Sequence, residues 1–134
     1  MANCDVLVVE DDILLMDLFG DALSDLGFVV QVAASPAEAE DHLEHVGEVQ
    51  ALLMDVDLRS SIDGFDLAAR VRRDHPNVKV VFVSGQMVNW QERSLGLYDR
   101  FLSKPARLID VAAELVELGV VPSLPPAIGP RAIL

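Results

Sequence analysis

The sequence predicts an α/β fold in which a parallel β-sheet carries helices on both faces. Short apolar runs of strand length recur along the chain, and each is followed by a stretch with apolar residues at helical spacing. This alternation occurs five times, which is typical of a parallel sheet built from crossover units. Apolar residues make up 51% of the 134 residues, enough for one domain with a buried core.

The first part of the chain contains two strand–helix units. Residues 5–9 and 28–32 are apolar runs with the length and composition of buried strands. The first helix is predicted from an apolar face that comprises Leu15, Leu18, Phe19, Ala22, Leu23 and Leu26 and ends at Gly27. Residues 35–38 supply an N-cap serine, a proline at the first helical position and a capping-box glutamate for the second helix. That helix ends near Gly47, and its inward residues are Ala39, Leu43 and Val46.

Three further strands continue the alternation, at residues 51–54, 78–83 and 100–103. The third helix begins at Gly64 and ends at residues 75–76, whereas residues 87–97 are only weakly helical. The last helix stops at Gly119. The buried faces of the third and last helices comprise Leu67, Ala68 and Val71, and then Leu108, Val111, Ala112 and Leu115.

Residues 1–119 are therefore predicted to form one domain, and residues 120–134 a proline-rich C-terminal tail. Four prolines in these last residues disfavour regular structure. Two interpretations of the tail stay open, a flexible extension and a segment docked on the domain. It is too short to be an output domain.

Composition excludes several classes of function. The formal net charge of −12 argues against nonspecific binding to nucleic acid or to an anionic membrane. Cys4 is the one cysteine, so no disulfide framework is expected, and we interpret it as a buried, inert thiol. No signal peptide or apolar stretch of membrane-spanning length is visible, which predicts a cytoplasmic protein. His42, His45 and His75 lie on predicted helices and are expected at the surface.

Residues suited to phosphate or metal chemistry follow four of the five strands. They are Glu10 and Asp11 after the first strand, Asp55 after the third, Ser84 after the fourth and Lys104 after the fifth. The carboxyl ends of parallel strands share one edge, so these side chains are expected to meet there. Two carboxylates about 4 Å apart repel by roughly 4 kcal/mol at an effective dielectric constant of 20. Protons or a cation must relieve that repulsion, and oxygen ligands without His or Cys favour Mg²⁺.

Each residue also has an interpretation without chemistry. Glu10 and Asp12 suit the start of a helix, where acids favour the positive end of the dipole. Asp57 suits a loop, Ser84 a turn, and Lys104 a solvated surface charge. Independent coincidences at four strand ends are improbable, so the combination favours a functional site.

The segments that carry this pattern resemble the receiver domain of bacterial response regulators over roughly residues 4–119. They are residues 9–12 (Val-Glu-Asp-Asp), 54–55 (Met-Asp), 83–85 (Val-Ser-Gly) and 101–105 (Phe-Leu-Ser-Lys-Pro). The resemblance implies a flavodoxin-like, doubly wound sheet of five parallel strands in the order 2-1-3-4-5. It also implies a signalling protein rather than a conventional turnover enzyme. Because no DNA-binding or enzymatic segment follows Gly119, we expect a single-domain, stand-alone receiver.

The resemblance further implies a role for each acid. Asp55 would be the phosphoacceptor and would take its phosphoryl group from a histidine kinase or a phosphotransfer protein. Asp11 would bind Mg²⁺ directly and Glu10 largely through water. Asp55 and the backbone carbonyl of Asp57 would complete the protein's share of the ligands.

The other implied roles concern switching and signal lifetime. Lys104 would pair with the phosphoryl group and Ser84 would move to donate a hydrogen bond to it. Phe101 matches the family's rotating aromatic residue, although core packing explains it equally well. Asp57 and Gln86 occupy the two positions that tune dephosphorylation, and the peptide bond after Lys104 is often cis in this family.

The resemblance places the output surface on the fourth helix, the fifth strand and the fifth helix. Trp90, Leu97 and Tyr98 lie near that surface in the sequence, although packing against the sheet is an equal alternative for Tyr98. A downstream protein is the expected partner, without nucleic acid or membrane. The expected state is a monomer or a phosphorylation-dependent dimer.

The sequence departs from the family's commonest pattern at one loop. Leu58-Arg59 stands where many receivers have Met-Pro, and the loop to Gly64 is one residue longer. The longer loop resembles a subgroup of single-domain receivers associated with HWE-type histidine kinases. No departure removes a residue that the chemistry needs.

Two other functions remain open. Asp55-Val56-Asp57 also matches the Asp-x-Asp of HAD-type phosphatases, in which that strand comes first, whereas here Glu10-Asp11 precedes it. The second alternative is a binding module with the receiver fold that has lost phosphorylation. The presence of Asp11, Asp55, Ser84 and Lys104 argues against that alternative.

Overall fold

The structure, a computed structural model, describes residues 2–85 and 96–127, and its centre is a sheet of five parallel strands. The strands are β1 (Cys4–Val9), β2 (Val30–Ala33), β3 (Val49–Asp55), β4 (Lys79–Ser84) and β5 (Asp99–Ser103). Their order across the sheet is β2-β1-β3-β4-β5. Both the parallel sheet and the strand order implied by the resemblance are confirmed.

Helices cover both faces of the sheet, as predicted. They are α1 (Ile13–Asp25), α2 (Pro36–Glu44), α3 (Gly64–Asp74) and α4 (Leu108–Glu117). Buried residues of α2 and α3 share one apolar core with one face of the sheet, and those of α1 and α4 share a second core with the other face. Successive residues of β1 from Val6 to Val9 alternate between the two cores, which is why this part of the strand is continuously apolar.

Side-chain caps fix the starts of three helices. Asp12 accepts hydrogen bonds from the backbone N–H groups of Leu14 and Leu15, and Ser35 accepts one from Glu38. The Glu38 carboxylate accepts from the N–H of Ala34, rather than from Ser35 as a strict capping box requires. The reciprocal capping box occurs instead at α3, between Asp63 and Asp66.

The predicted apolar face of α1 was wrong at Leu18, whose side chain is 61% exposed. The buried face passes through Met16, Gly20 and Leu23, which follow helical spacing. A Cβ at Gly20 would lie 2.8 Å from a methyl carbon of Val32, so this glycine permits close packing of α1 on β2. Glycine carries no apolar signal, and the periodicity of the leucines therefore indicated a shifted face.

Smaller differences concern the ends of elements. Strand β2 begins at Val30 rather than residue 28, and α2 ends at Glu44, although Val46 is buried as predicted. Residues 87–95 of the weakly helical stretch lie outside the described residues. Within the described ranges, no helix has the length and apolarity needed to cross a lipid bilayer.

Cys4 matches its predicted environment, and the histidines do so in part, since His45 and His75 follow the last residues of α2 and α3. Cys4 is a buried free thiol, and burial raises its pKa to about 11, which disfavours the reactive thiolate. His45 is exposed, whereas His42 and His75 are partly exposed.

Residues 120–127 dock along the amino-terminal edge of the sheet. Of the two interpretations of the tail, these residues therefore follow the docked one. The backbone N–H of Leu124 donates to the backbone carbonyl of Gly27 at 3.0 Å, and the backbone N–H of Ala127 donates to the backbone carbonyl of Asp25 at 2.8 Å. Gly27 has φ +97°, and a Cβ there would collide with the Leu124 carbonyl. The glycine that ends α1 therefore also makes room for the tail.

Candidate functional site

The strand ends place the predicted site residues at the carboxyl edge of the sheet. Glu10 and Asp11 follow β1, Asp55 is the last residue of β3, Ser84 is the last of β4, and Lys104 follows β5. Neighbouring strands are in register, so these positions are brought together from widely separated parts of the chain. The expected juxtaposition is confirmed in the geometry described below.

Three carboxylates form an acidic cluster at this edge. Glu10, Asp11 and Asp55 each offer an oxygen within 4.8 Å of the others. Glu10 is 6% exposed and Asp55 is 3% exposed. Glu10 Oε2 and Asp55 Oδ2 are buried and have no hydrogen-bond partner among the described residues. Buried acceptor oxygens of this kind require a proton or a cation, and hard oxygen ligands suit Mg²⁺.

The pKa values express the same repulsion. Burial raises the pKa of Glu10 to about 8, and the nearby Asp55 carboxylate adds to the rise. Burial also raises the pKa of Asp11, again with a contribution from Asp55. Burial acts in the same direction on Asp55, but its interaction with the neighbouring Glu10 carboxyl, the hydrogen bond from the backbone N–H of Asp57 and the charge of Lys104 lower its pKa overall. The cluster thus raises the pKa of Glu10 and Asp11 and lowers that of Asp55.

Lys104 supplies positive charge directly at the acceptor. Its Nζ lies 3.2 Å from Asp55 Oδ1 and 3.4 Å from Glu10 Oε1. Burial opposes its protonation, but the carboxylates of Asp55 and Glu10 raise its pKa overall. The peptide bond between Lys104 and Pro105 is cis, as the resemblance implied.

Ser84 contacts Asp57 rather than Asp55. The Ser84 hydroxyl donates to Asp57 Oδ2 at 2.9 Å, and the backbone N–H of Asp57 donates to Asp55 Oδ1 at 2.9 Å. The loop after β3 is held close beneath the site by Gly64, where a Cβ would lie 2.9 Å from the Cα of Val56. Sequence reasoning recognised Gly64 only as a helix start, although its tight packing also positions the acceptor segment.

Of the other predicted switch and surface residues that the structure describes, one packs against the core and two are exposed. Phe101 is partly buried, pairs in register with Phe82, and packs against the core on the α2–α3 face. Leu97 and Tyr98 are exposed. Gln86 and Trp90 lie outside the described residues.

Arg59 is a member of this site that sequence reasoning did not assign. Its Nε lies 3.3 Å from Asp11 Oδ2, across the mouth of the acidic cluster. Its backbone has φ +46°, the left-handed region that favours glycine. The departure from the family's usual Met-Pro at this loop was the available signal, but the contact with Asp11 depends on the fold.

An apolar cavity of about 300 Å³ adjoins Asp55 and Lys104 on the α1 face of the sheet. Leu15, Phe19 and Leu53 are among the residues that line it. Apolar walls lower the local dielectric constant, so they strengthen the attraction between Lys104 and the acids.

Comparison with known proteins gives consistent matches. The family model described as the response regulator receiver domain matches residues 6–115. Sensor kinase CckA of Brucella abortus is 34% identical over 116 residues, which are 84% of this chain and 12% of that protein. The chain thus spans a small part of that relative's length.

Solved structures extend the comparison. A CheY-like response regulator receiver domain protein from Methanospirillum hungatei has a TM-score of 0.76 and 23% identity, covering 88% of this chain and 95% of that one. NtrX from Brucella abortus has a TM-score of 0.71 and 31% identity, covering 89% of this chain and 28% of that one. The first likeness supports the fold alone, and the second also extends to the sequence.

Proposed function

Because this chain belongs to the response regulator receiver family, we propose that it accepts a phosphoryl group on Asp55 and thereby switches its contacts with other proteins. Receiver domains are signalling domains that interact with histidine kinases and with downstream targets. The proposed donor is accordingly a histidine kinase or a histidine phosphotransfer protein. The chain is proposed to act through protein–protein contacts or a phosphorelay, either as a monomer or as a phosphorylation-dependent dimer.

The position of the Asp55 carboxylate is the observation that carries this proposal. The carboxylate ends β3 at the open edge of the sheet and lies 3.2 Å from Lys104 Nζ. Burial opposes its ionisation, but its contacts with Glu10, with the backbone N–H of Asp57 and with Lys104 lower its pKa overall. In the transfer, an Asp55 oxygen forms a bond to phosphorus while the bond from phosphorus to the donor imidazole nitrogen breaks. The nitrogen keeps the electron pair and is then protonated. Lys104 stabilises the charge on the phosphoryl oxygens.

Mg²⁺ is the proposed cofactor. Glu10, Asp11, Asp55 and the backbone carbonyl of Asp57 are the residues that would hold it. The oxygen-only donor set and the unpartnered oxygens Glu10 Oε2 and Asp55 Oδ2 support this assignment. When bound, Mg²⁺ neutralises the phosphoryl oxygens.

Ser84 and Phe101 are the proposed switch. Phosphorylation adds acceptor oxygens at Asp55, and the Ser84 hydroxyl would leave Asp57 to donate to one of them. Movement of Ser84, the last residue of β4, would change the packing of Phe101 on the neighbouring strand. Asp57 and Gln86 are proposed to set how long the phosphoryl group survives.

A downstream protein is proposed to contact the surface near β5 and α4. Leu97 and Tyr98 are exposed there, at the start of β5. Apolar groups that water surrounds in the free chain would favour burial against a partner. If replacing Tyr98 left the affinity for the partner unchanged, this assignment of the surface would be wrong.

Incubation with acetyl phosphate and Mg²⁺, followed by intact-protein mass spectrometry, tests the proposal. The wild-type chain should gain the mass of one phosphoryl group, Asp55→Asn should gain none, and the matched variant Asp57→Asn should still be modified. Rapid turnover of generic phosphoesters would instead support the phosphatase alternative. No Mg²⁺-dependent spectral change with beryllofluoride, a phosphoryl mimic, would support the binding module.

A further inference from the structure

Two basic side chains of the described residues pair with the acidic cluster, and they do so in different ways. Lys104 is partly buried and pairs with Asp55 Oδ1 and Glu10 Oε1. Arg59 is 90% exposed and pairs with Asp11 Oδ2 at 3.3 Å. Lys104 therefore leaves one oxygen free on each of its acids, whereas Arg59 occupies an oxygen of the third.

The free oxygens define where a cation would enter. Glu10 Oε2 and Asp55 Oδ2 have no hydrogen-bond partner among the described residues. Both residues belong to the group of three acids whose carboxylates each offer an oxygen within 4.8 Å of the others. Asp11 is the third member of that group, and the Arg59 guanidinium pairs with its Oδ2. A divalent cation and the guanidinium are both positive, so they repel each other when both contact this carboxylate.

We propose that Arg59 is an internal competitor for the metal site. It neutralises Asp11 while no divalent cation is bound and leaves that carboxylate when Mg²⁺ binds, so it sets the affinity of the site for the cation. This inference rests on the proposed function, because it takes the acidic cluster to be a Mg²⁺ site. It identifies a residue that determines cation affinity without itself being a ligand.

Exposure makes such an exchange easy. Ion pairs at the protein surface contribute little, because water competes for both charges and the side chains must be ordered. Arg59 adopts a left-handed backbone conformation that favours glycine. In this conformation of the loop, its long cationic side chain lies at the mouth of the site, beside Asp11. Removing the guanidinium abolishes both the competition for Asp11 and the repulsion between Arg59 and the bound cation.

Calorimetric titration of the full chain with Mg²⁺ tests this inference. Arg59→Ala should bind Mg²⁺ about threefold to tenfold more tightly than wild type at low ionic strength. The gain should shrink at roughly 0.5 M salt, where exposed charges are screened. Arg59→Lys keeps the charge and should stay within about twofold of wild type.

Arg70→Ala is the matched control. Arg70 is an exposed arginine that pairs with Glu40 at 3.1 Å, so this variant removes the same charge and a similar ion pair away from the cluster. It should leave the affinity within about 1.5-fold of wild type. If Arg59→Ala changes the affinity no more than Arg70→Ala does, the inference is wrong while the proposed function stands. If wild type binds no Mg²⁺, both are wrong.

Discussion

Ser123→Ala removes a hydroxyl that donates to a buried carboxylate, and we expect it to destabilise the protein through the docked tail. The Ser123 hydroxyl lies 2.6 Å from Asp5 Oδ1, and the backbone N–H of Ser123 lies 2.9 Å from Asp5 Oδ2. Asp5 is buried at the start of β1 and also accepts from Gln50 at 2.7 Å and from the backbone N–H of Val29 at 2.8 Å. This network joins residues that are 118 positions apart in the chain.

The magnitude follows from what the substitution leaves behind. Hydrogen bonds to charged groups contribute about 1.5–3 kcal/mol, but Asp5 Oδ1 keeps its bond from Gln50 and is not left without a donor. We therefore expect a loss of about 1–2 kcal/mol in the free energy of unfolding, near the lower end of that range. For a chain of this length the melting temperature should fall by roughly 4–7 °C.

Urea unfolding at neutral pH measures this loss, with Ser61→Ala as the control because Ser61 is exposed in the loop after β3. Burial opposes ionisation of Asp5, but its hydrogen bonds from Ser123, Val29 and Gln50 lower its pKa below 3.8. A carboxylate with a lowered pKa stabilises the fold above its unfolded-state pKa and loses that effect as the pH falls. The destabilisation caused by Ser123→Ala should therefore persist down to about pH 4. A difference of less than about 0.3 kcal/mol from Ser61→Ala would refute the reasoning.

Two further predictions concern the acidic cluster and its support. Burial and Asp55 raise the pKa of Glu10 from 4.5 to about 8, so the folded state binds this proton more tightly than the unfolded state. The free energy of unfolding of the metal-free protein should therefore fall as the pH rises from 4.5 to about 8, and Mg²⁺ should reduce this fall. In EDTA, the melting temperature of Asp55→Asn should depend less on pH than that of the wild type. Equal stability of metal-free wild type at pH 6 and pH 8 would contradict this assignment of the proton. Gly64→Ala should cost about 1–3 kcal/mol in urea unfolding, because its Cβ would collide with the backbone carbonyl of Asp55 and crowd the Cα of Val56. Gly85→Ala is the control, since its nearest neighbour is the Lys104 side chain at 3.7 Å, and equal losses would show that crowding at Gly64 is relieved without cost.

The site was largely predictable because parallel strands carry their carboxyl ends to one edge. Asp55, Ser84 and Lys104 each follow an apolar run that is readable without tertiary information. Glu10 and Asp11 could be placed at the same edge by the same argument. To place these residues at one edge, it was enough to know that each follows a strand and that the strands are parallel. The apolar runs and the helices between them indicate both.

Other features depend on contacts that local sequence does not encode. The exposure of Leu18 follows from the approach of Gly20 to β2, and the role of Asp5 follows from the docking of Ser123. Asp5 looked like an ordinary first residue of a strand, since its partners lie far away in the chain. Arg59 belonged to a polar loop, and only the fold brings it to Asp11.

The most direct test of phosphorylation is to locate the phosphoryl group on the chain. After transfer from a phosphorylated histidine kinase with Mg²⁺ present, borohydride reduction converts an aspartyl phosphate to homoserine, which peptide mass spectrometry identifies by position. We expect the modification at position 55 in the wild-type chain and none in Asp55→Asn. Modification at Asp11 or Asp57 in place of Asp55, or none at any aspartate, would contradict it.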